Sequence, residues 1–335
     1  MTSDGQQNRV PWIGRSRAFQ AVGETIDQCA RSEATVLLVG ESGTGKGLAA
    51  RRLHEASRPG EPFVVVHLAA LSSTLIEGSL FGHEKGAFTD ASRARPGFFR
   101  QAGRGTLVLD DVDLLPLDVQ PKLLRVLQER VVEPLGSATP VPVEARIVAT
   151  TNRDLRDEID AGAFRQDLYY RLAVLEVELP PLRARVEDLE PLAKHLAGQI
   201  SARLSIPERP FTPEALERLA AHPWPGNVRE LENAIERVSV LGSGPGSGPA
   251  AGSGEEPPAI AVEELAFLEE PLRGIRRELA TRALANGLTV DELSHAMLQE
   301  ALRENRGNVS AAARQVGLTR RAFDYRMAHG ADTET

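Results

Sequence analysis

A glycine-rich segment with a single lysine, GESGTGKG, is the clearest candidate for chemistry in this chain of 335 residues. It follows the apolar run TVLLV directly and precedes the helical pattern LAARRLHEA. Between a strand and a helix, glycines let the backbone wrap a phosphate group, and the backbone N–H groups at the helix start point at the anion. The sequence therefore predicts a phosphate-binding loop at Gly40, Glu41, Ser42, Gly43, Thr44, Gly45, Lys46 and Gly47.

The last two residues of this loop determine how it handles charge. Lys46 supplies a cation for the phosphates. A serine or threonine usually follows that lysine and helps to hold a magnesium ion, but this chain has Gly47. The ion must therefore lose one ligand or find it elsewhere.

Two aspartates end the next apolar strand pattern but one, in GTLVLDDVD. Carboxylates at the carboxyl end of a strand stand where α/β folds place their ligands, and they can hold Mg²⁺ and polarise an attacking water. Asp110 and Asp111 are therefore candidates for these two roles. Asn152 ends the following strand pattern, RIVATTN, and is suitably polar to orient that water near a γ-phosphate.

Three arginines are further candidates for contact with phosphate. The segment WPGNVRELEN predicts a helix that begins at Asn227, with Glu230 placed as in a capping box. Arg229 falls in its first turn, where a cation opposes the helix dipole, so contact with a phosphate explains it better than stability does. Arg165 and Arg171 in FRQDLYYRL are six residues apart and share no helix face. Spacing alone leaves open whether they act together.

Buried strands must position these side chains. Apolar β-branched runs alternate with helical patterns, as in α/β domains with a parallel sheet. From residue 182 to residue 240 the pattern changes to helices only, which predicts a small helical subdomain. The four strand patterns are TVLLVG (35–40), PFVVVHLAA (62–70), GTLVLD (105–110) and VEARIVATTN (143–152).

A stretch rich in glycine, serine and proline, LGSGPGSGPAAGSGEEPP, follows at 241–258. It offers almost no apolar surface to bury, so it predicts a linker. As a flexible coil it would span about 25 Å on average, so the flanking domains need not be rigidly coupled.

The C-terminal region has the pattern of a helix-turn-helix. GNVSAAARQVGLTRRAFDYRM divides into two short helices around Gly317, with Ser310 and Thr319 as predicted N-caps. Residues 303–330 hold six arginines against two acids, although the whole chain carries a net charge of −8. The second helix is predicted to enter the DNA major groove. Its candidate contacts are Thr319, Arg320, Arg321, Tyr325 and Arg326.

Composition excludes several classes of protein. With 41% hydrophobic and 26% charged residues the chain is an ordinary globular one, long enough for two or three domains. The single cysteine, Cys29, excludes an internal disulfide framework. No apolar run is long enough for a membrane helix and the N-terminus has no secretory signal, so we expect a cytoplasmic protein without membrane contact.

Six segments are together similar to the AAA+ domain of bacterial enhancer-binding proteins, the ATPases that activate RNA polymerase carrying sigma-54. These segments are GESGTGKG, FGHEKGAFTDA (81–91), GTLVLDD, ATTNRDL, FRQDLYYRL and WPGNVRELEN. The matching segments run from about residue 11 to residue 241, and the C-terminal region resembles the Fis-type domain of the same family. The resemblance implies an N-terminal tail (1–10), an α/β ATPase core (11–181), a helical lid (182–241), a linker (242–260) and a Fis-type DNA-binding domain (261–335).

The resemblance also implies roles for the candidate residues. ATP would bind between the subunits of a ring, usually a hexamer, with Lys46 on the phosphates and Asp110 on Mg²⁺. Asp111 would occupy the position of the water-activating acid, Asn152 would sense the γ-phosphate and Arg229 would be the lid sensor. Arg165 and Arg171 would be arginine fingers that reach a neighbouring subunit's ATP.

The segment FGHEKGAFTDA would contact sigma-54 through Gly86, Ala87, Phe88, Thr89, Asp90 and Ala91. Three residues depart from the family pattern. Asp111 replaces a glutamate that is one methylene longer, and His67 replaces an asparagine thought to restrain that acid. Asp90 replaces a glycine, and aspartate is among the few other residues that visit positive φ.

The leading prediction is an ATP-hydrolysing activator that binds upstream double-stranded DNA, forms a ring and remodels the closed promoter complex of the sigma-54 holoenzyme. The alternative is a nucleotide-binding and DNA-binding regulator whose weakened ATPase leaves it to act by occupancy. An unfoldase or replication factor is disfavoured because those families lack the GAFT segment.

About ten residues precede the ATPase, so we expect control in trans, from expression level or from a part outside this sequence. The helices before the helix-turn-helix are candidates for a dimer interface.

Overall fold

The computed structural model describes residues 11–87, 93–137, 139–242, 257–269, 279–305 and 307–329. It divides into two compact units, one up to Leu265 and one from Ala266 onward. Among the described residues, no helix has the length and apolar character that crossing a membrane requires.

A five-stranded parallel sheet forms the centre of the first unit. Its strands are β1 (Val36–Val39), β2 (Phe63–His67), β5 (Thr106–Asp110), β8 (Arg146–Thr151) and β9 (Leu175–Glu178), arranged in the order β2-β5-β8-β1-β9. The three inner strands are almost wholly buried, as the apolar runs predicted. The predicted α/β core is confirmed.

Helices cover both faces of this sheet because successive strand residues point to opposite sides. Val36 and Leu38 pack in a cluster with the first two helices, whereas Leu37 packs in a larger cluster on the opposite face. The helices are α1 (Arg17–Cys29), α2 (Lys46–Ser57), α3 (Ser73–Phe81), α4 (Phe98–Gln101), α5 (Gln120–Glu129), α6 (Leu155–Asp160) and α7 (Gln166–Leu172).

The edge strand β9 was not predicted. Its sequence LEVE alternates apolar and acidic residues, and only Val177 is buried. The strand therefore lacks the continuous apolar run of an inner strand. Pairing with β1 on one side is enough to order it. Two short antiparallel pairs complete the core, β3 (Gly82–His83) with β4 (Arg95–Pro96) and β6 (Val131–Val132) with β7 (Val141–Pro142).

A helical lid follows, made of α8 (Leu189–Leu204), α9 (Pro213–Ala221) and α10 (Asn227–Leu241). The side chain of Thr212 accepts a hydrogen bond from the amide of Ala215 and so caps α9. The aromatic ring of Trp224 is fully buried between these helices, and its Nε1 donates to the carbonyl of Leu219 at 2.8 Å. The predicted helical subdomain is confirmed.

In the described part of the second unit, a helical segment that ends at residue 285 is followed by the helices Val290–Glu304, Val309–Gln315 and Arg320–His329. Thr289 and Glu292 form a capping box on the first of them. Phe323 is buried with Leu298, Ala301, Ala312 and Ala313 in a small core.

The turn of the helix-turn-helix has the predicted punctuation with one correction. Gly317 has φ +72, and the hydroxyl of Thr319 accepts from the amide of Ala322 at 3.2 Å. The predicted N-cap Ser310 is wrong, because the helix begins two residues earlier. Asn308 is the cap, and its Oδ1 accepts from the amide of Ala311 at 3.2 Å.

Candidate functional site

The strand order brings the phosphate-binding loop and the two aspartates to one edge of the sheet. β8 lies between β5, which ends in Asp110, and β1, which leads into Gly40. The amide of Gly40 donates to the carbonyl of Thr151 at 3.2 Å, which fixes the loop to the end of β8. Asn152 follows Thr151 directly and is exposed. The carboxyl end of a parallel sheet is where α/β folds bind ligands.

The loop has the backbone that a phosphate cradle requires. Gly43 and Gly45 have φ values of +79 and +107, which glycine adopts without steric cost. At Gly43 a side chain would also collide with the carbonyl of Gly226. Lys46 opens α2, and its Nζ donates to the carbonyl of Gly40 at 2.7 Å and to that of Glu41 at 3.2 Å.

The lysine is largely buried and faces the aspartates. Burial lowers the pKa of Lys46, while the charges of Asp111 and Asp110 act in the opposite direction. Lys46 and the backbone N–H groups at the start of α2 attract phosphate, whereas the nearby carboxylates repel it unless a cation such as Mg²⁺ lies between them.

Both carboxylate oxygens of Asp110 are engaged by the neighbouring strands. Oδ1 accepts from the hydroxyl of Thr150 on β8 at 2.6 Å, and Oδ2 lies 2.8 Å from Nδ1 of His67 on β2. His67 and Asp110 are register partners across β2 and β5. Both oxygens of Asp110 therefore have partners on the neighbouring strands.

Asp111 occupies an unusual backbone position. Its φ is +58, a left-handed conformation that aspartate tolerates better than most residues, and its amide donates to the hydroxyl of Thr150 at 3.1 Å. Burial raises the pKa of Asp111, and the charges of Asp110 and Asp113 raise it further. A carboxyl with a raised pKa beside a phosphate site fits a proton acceptor.

The lid contacts the phosphate loop through Asn227, which was predicted only as the start of a helix. This residue is fully buried with φ +52. Its Nδ2 donates to Oε2 of Glu41 at 3.1 Å and to the carbonyl of Ser42 at 3.0 Å. Its Oδ1 accepts from the amide of Leu182 at 2.7 Å. One amide side chain therefore joins the loop to the start of the lid.

Three arginines add to this junction. Arg183 binds the carboxylate of Glu41 through two nitrogens and lowers the pKa of Glu41. Arg229 donates to the hydroxyl of Ser42 at 2.8 Å, and Arg185 donates to the carbonyl of Thr44 at 2.8 Å. Arg183 and Arg185 were not predicted, since nothing in PPLRARVED marks them as partners of a loop far away in sequence.

Arg165 and Arg171 lie away from these contacts at the two ends of α7. Arg165 is the N-terminal flanking residue of the helix and forms a two-nitrogen ion pair with Asp167, at 3.0 and 2.7 Å. Arg171 is in the last turn, with its Nε 3.4 Å from the carbonyl of Leu127. Both side chains are exposed.

The segment predicted to contact sigma-54 lies only partly within the described residues. Gly86 has φ +84, and the amide of Ala87 donates to the carbonyl of Glu84 at 3.2 Å. The antiparallel pair of β3 and β4 stands on either side of the segment. The remaining predicted contacts, Phe88, Thr89, Asp90 and Ala91, lie outside the described residues.

The predicted DNA-contacting side chains share the third helix of the second unit. Thr319, Arg320, Arg321, Tyr325 and Arg326 are all exposed, whereas Phe323 points into the core. Asp324 is also exposed and lies 3.9 Å from Arg320, one helical turn away. The helix therefore presents three arginines and one tyrosine to solvent.

The donors at the sheet edge fit a magnesium nucleotide. Within the described ranges, no group of three or more His, Cys, Asp or Glu side chains could hold a metal ion by itself. Mg²⁺ is commonly bound by one or two carboxylates together with the phosphates of a nucleotide, and this site offers Asp110 and the glycine-rich loop. A Cβ at Gly45 or Gly47 would meet nothing within 4 Å, so the loop is open at these positions.

Comparisons with known proteins agree with this architecture. Residues 12–178 match the family model of the Sigma-54 interaction domain, and residues 183–246 match that of the AAA+ ATPase lid domain. Residues 289–329 match the Fis family of bacterial regulatory proteins. The fold and the site thus define an AAA+ domain with its lid, joined to a Fis-type helix-turn-helix.

Named relatives and solved structures give the family. The chain is 47% identical over 239 residues to the DNA-binding transcriptional regulator NtrC of Rhizobium meliloti (strain 1021), covering 71% of this chain and 49% of that protein. It is 43% identical over 313 residues to the transcriptional regulatory protein ZraR of Salmonella typhimurium (strain LT2), covering 93% of this chain and 67% of that one. A crystal structure of NtrX from Brucella abortus in complex with ATP aligns with TM-score 0.67 and 31% identity, over 96% of this chain and 70% of that one. The chain belongs to the sigma-54-dependent transcriptional activators, the bacterial enhancer-binding proteins.

Proposed function

We propose that the protein binds and hydrolyses ATP and uses the hydrolysis to activate sigma-54 RNA polymerase from an upstream DNA site. The observation that carries this proposal is the sheet edge at which Lys46, Asp110 and Asp111 face one another below a lid that contacts the phosphate loop. A crystal structure of NtrX from Brucella abortus in complex with ATP has the same fold, which supports a nucleotide at this site. Because RNA polymerase acts in the cytoplasm, we propose that this protein does so as well.

The residues of the chain divide the chemistry between them. ATP with Mg²⁺ supplies the phosphoryl group that is transferred to water. Lys46 and the N-terminus of α2 would bind the phosphates, and Asp110 would hold the metal ion. Asp111 accepts the proton of the attacking water, because a pKa raised toward neutral pH makes its carboxylate a better proton acceptor. Asn152 orients that water. Arg229 on the lid contacts the phosphates, so that nucleotide binding is coupled to the position of the lid.

A ring would complete the site with residues from a neighbour. Arg165 and Arg171 are exposed at the ends of α7, where Arg165 pairs with Asp167 and Arg171 lies beside the carbonyl of Leu127. An arginine that reaches another subunit's phosphates stabilises the transition state and contributes about 10³ to 10⁵ in rate. We propose a hexamer in which these two arginines act in trans.

The segment from Gly86 to Ala91 is the proposed contact with sigma-54. Phe88 and Thr89 would supply that contact, and Asp90 would keep the backbone shape of the glycine that the family has there. Phe88→Ala should spare hydrolysis and abolish activation, whereas Asp90→Gly should leave activation equal or improved. A large loss of activation in Asp90→Gly would instead make the aspartate itself a contact.

The second unit is the proposed DNA-binding domain. Its third helix presents Arg320, Arg321 and Arg326 for phosphates and base edges of the major groove. Arg321→Ala should weaken binding to the upstream site by about 1–3 kcal/mol if it reads a base, and uniformly across sequences if it contacts phosphate. Leu284 and Val290 are 78% and 81% exposed on the preceding helices, and we propose that this apolar surface pairs two copies.

One experiment tests the main proposal. Purified protein with sigma-54 holoenzyme, promoter DNA and ATP should hydrolyse ATP and form open complexes. Lys46→Ala should abolish both activities, while the exposed lid variant Lys194→Ala should retain both. Hydrolysis without open complexes would remove the sigma-54 assignment.

A second candidate function is that of a regulator that binds nucleotide and DNA but hydrolyses ATP only weakly. The short side chain of Asp111 and the engagement of both oxygens of Asp110 favour it. In that case ATP should promote assembly on DNA, and open complexes and measurable turnover should both be absent. Lys46→Ala should then lose assembly.

A further inference from the structure

Arg209 at the base of the lid holds together two stretches of chain that are distant in sequence. Its side chain is 6% exposed. NH1 donates to the carbonyl of Val238 in α10 at 3.2 Å, and Nε and NH2 donate to the carbonyls of Pro258 and Ala259 at 2.8 and 3.2 Å. The same guanidinium binds both oxygens of Glu264, at 2.9 and 2.7 Å. A buried guanidinium with this many partners is a specific, fully hydrogen-bonded contact. Removing any partner would leave buried donors unsatisfied.

The backbone of the stretch after the glycine-rich segment is paired with the lid as well. The amide of Ile260 donates to the carbonyl of Pro210 at 2.7 Å, and the amide of Thr212 donates to the carbonyl of Ile260 at 3.0 Å. Ile260 and Leu265 are fully buried. Apolar anchors and backbone hydrogen bonds therefore reinforce the arginine.

Glu264 is the acidic half of this arrangement. Its carboxylate also accepts from the amide of Ala261 at 3.0 Å. Hydrogen bonds from Arg209 lower the pKa of Glu264, which keeps it charged. The charge pair and the turn at Ala261 thus support the same local conformation.

Gly242, the residue before the stretch 243–256, packs directly against this pair. A Cβ at this position would collide with NH1 of Arg209 and with Oε2 of Glu264. Its φ is −71, an ordinary helical value, so close approach rather than backbone conformation requires glycine here. Both ends of the stretch 243–256 are therefore fixed beside Arg209.

We propose that residues 257–265, with Arg209 and Gly242, form a clip that fastens the chain back onto the ATPase lid, so that the tether to the DNA-binding unit begins only after Leu265, which lies within the short 3-10 helix Val262–Glu269. The sequence predicted a flexible linker from 242 to 260. With the clip in place, the number of residues between Gly242 and residue 257 does not set the reach of the DNA-binding unit. Residues 257–265 lie outside the stretches that the lid and Fis-family models match.

The clip has a consequence for how the two units are coupled. If it opened, residues 243–265 would join the tether, and as a flexible coil of 23 residues they would by themselves span about 26 Å on average. A longer tether lowers the effective concentration of the DNA-binding unit near its own ATPase. With the clip closed, any movement of the lid is instead passed to the start of the tether after Leu265.

Hydrogen exchange of the full-length protein tests the contact itself. The amides of Ile260, Ala261 and Thr212 should be protected in the wild type, and Arg209→Ala should reduce that protection about tenfold or more. Gly242→Ala should have the same effect while leaving Arg209 in place. Glu263→Gln, on an exposed neighbour of Glu264, and Gly198→Ala, where a methyl group meets only ordinary contacts, are the matched controls.

A distance measurement tests the tether. Spin labels at the exposed positions Glu217→Cys and Ala296→Cys, with Cys29 replaced by alanine, report the distance between lid and DNA-binding unit. Ten Gly-Ser repeats inserted into 243–256 should leave the distance distribution unchanged when the clip is intact. The same insertion should broaden it in Gly242→Ala or in Glu264→Gln.

Two results would overturn the proposal. One is broadening by the insertion alone, to the same extent in the wild type as in the clip variants. The other is unchanged protection of Ile260 in Gly242→Ala. Neither measurement depends on ATP hydrolysis or sigma-54, so failure of the proposed function leaves this test intact.

Discussion

Nδ1 of His67 lies 2.8 Å from Oδ2 of Asp110, the carboxylate proposed to hold the magnesium ion. The other oxygen of Asp110 accepts from Thr150, so both oxygens of this carboxylate already have partners within the protein. The histidine side chain is 64% exposed, and the pair can therefore separate at little cost. His67 is thus placed to compete with Mg²⁺ for one ligand.

This competition predicts the effect of His67→Ala. The Mg²⁺ concentration that gives half-maximal ATP binding should fall severalfold, because Asp110 no longer has to release an imidazole. A titration of Mg²⁺ at a fixed concentration of a fluorescent ATP analogue measures this half-maximal concentration. An unchanged or higher Mg²⁺ requirement would show that the contact orients Asp110 for the metal instead.

A pH dependence follows from the raised pKa of Asp111. When the folded protein holds a proton more tightly than the unfolded chain, stability falls as pH rises from the ordinary aspartate pKa through the raised value. Asp111→Asn removes this loss. In nucleotide-free protein without Mg²⁺, the variant should therefore unfold at a higher temperature than the wild type near pH 7. The difference should shrink as the pH is lowered toward 4, and a difference independent of pH would contradict the assignment.

The same residue predicts a split in activity. Asp111→Glu restores the longer acid of the family and should raise turnover severalfold, with little change in nucleotide affinity. Asp111→Asn cannot accept a proton and should lower turnover by about 10²-fold or more. Steady-state hydrolysis together with a separate nucleotide-binding measurement distinguishes these effects. Equal turnover of Asp111→Glu and the wild type would mean that side-chain length does not limit hydrolysis.

The junction between Glu41 and Arg183 should couple the lid to the phosphate loop rather than stabilise the fold. Both side chains are partly exposed, at 40% and 49%, and such pairs contribute about 0–1 kcal/mol to stability. Glu41→Gln and Arg183→Gln should each weaken nucleotide binding with little change in melting temperature. The double variant should be no weaker than either single one, because both substitutions break the same contact. Losses that add would indicate two independent roles.

The sequence predicts features that have a local motif. It does not predict contacts between residues that are far apart in the chain. The glycine-rich loop, Asp110 and the inner strands have local signatures, since buried parallel strands are continuous apolar runs and phosphate loops need glycine. The contacts of Asn227 with Glu41 and of Arg209 with Glu264 join residues 186 and 55 positions apart. No local pattern marks such partners, because ordinary polar residues acquire these roles only when the fold brings them together.

Gly47 offers a direct test of the missing magnesium ligand. A Cβ at this position would meet nothing within 4 Å, and its φ is not in the left-handed region, so a side chain fits without strain. Gly47→Ser adds a hydroxyl at the place where phosphate loops usually carry one, and it should lower the Mg²⁺ concentration needed for ATP binding. Gly47→Ala is the matched control, because it favours the helix at least as much but adds no oxygen ligand. Both variants should therefore raise the melting temperature, while only the serine shifts the Mg²⁺ titration. If alanine shifts it equally, the gain comes from a stiffer start of α2, and the metal ion in this protein finds its ligands without residue 47.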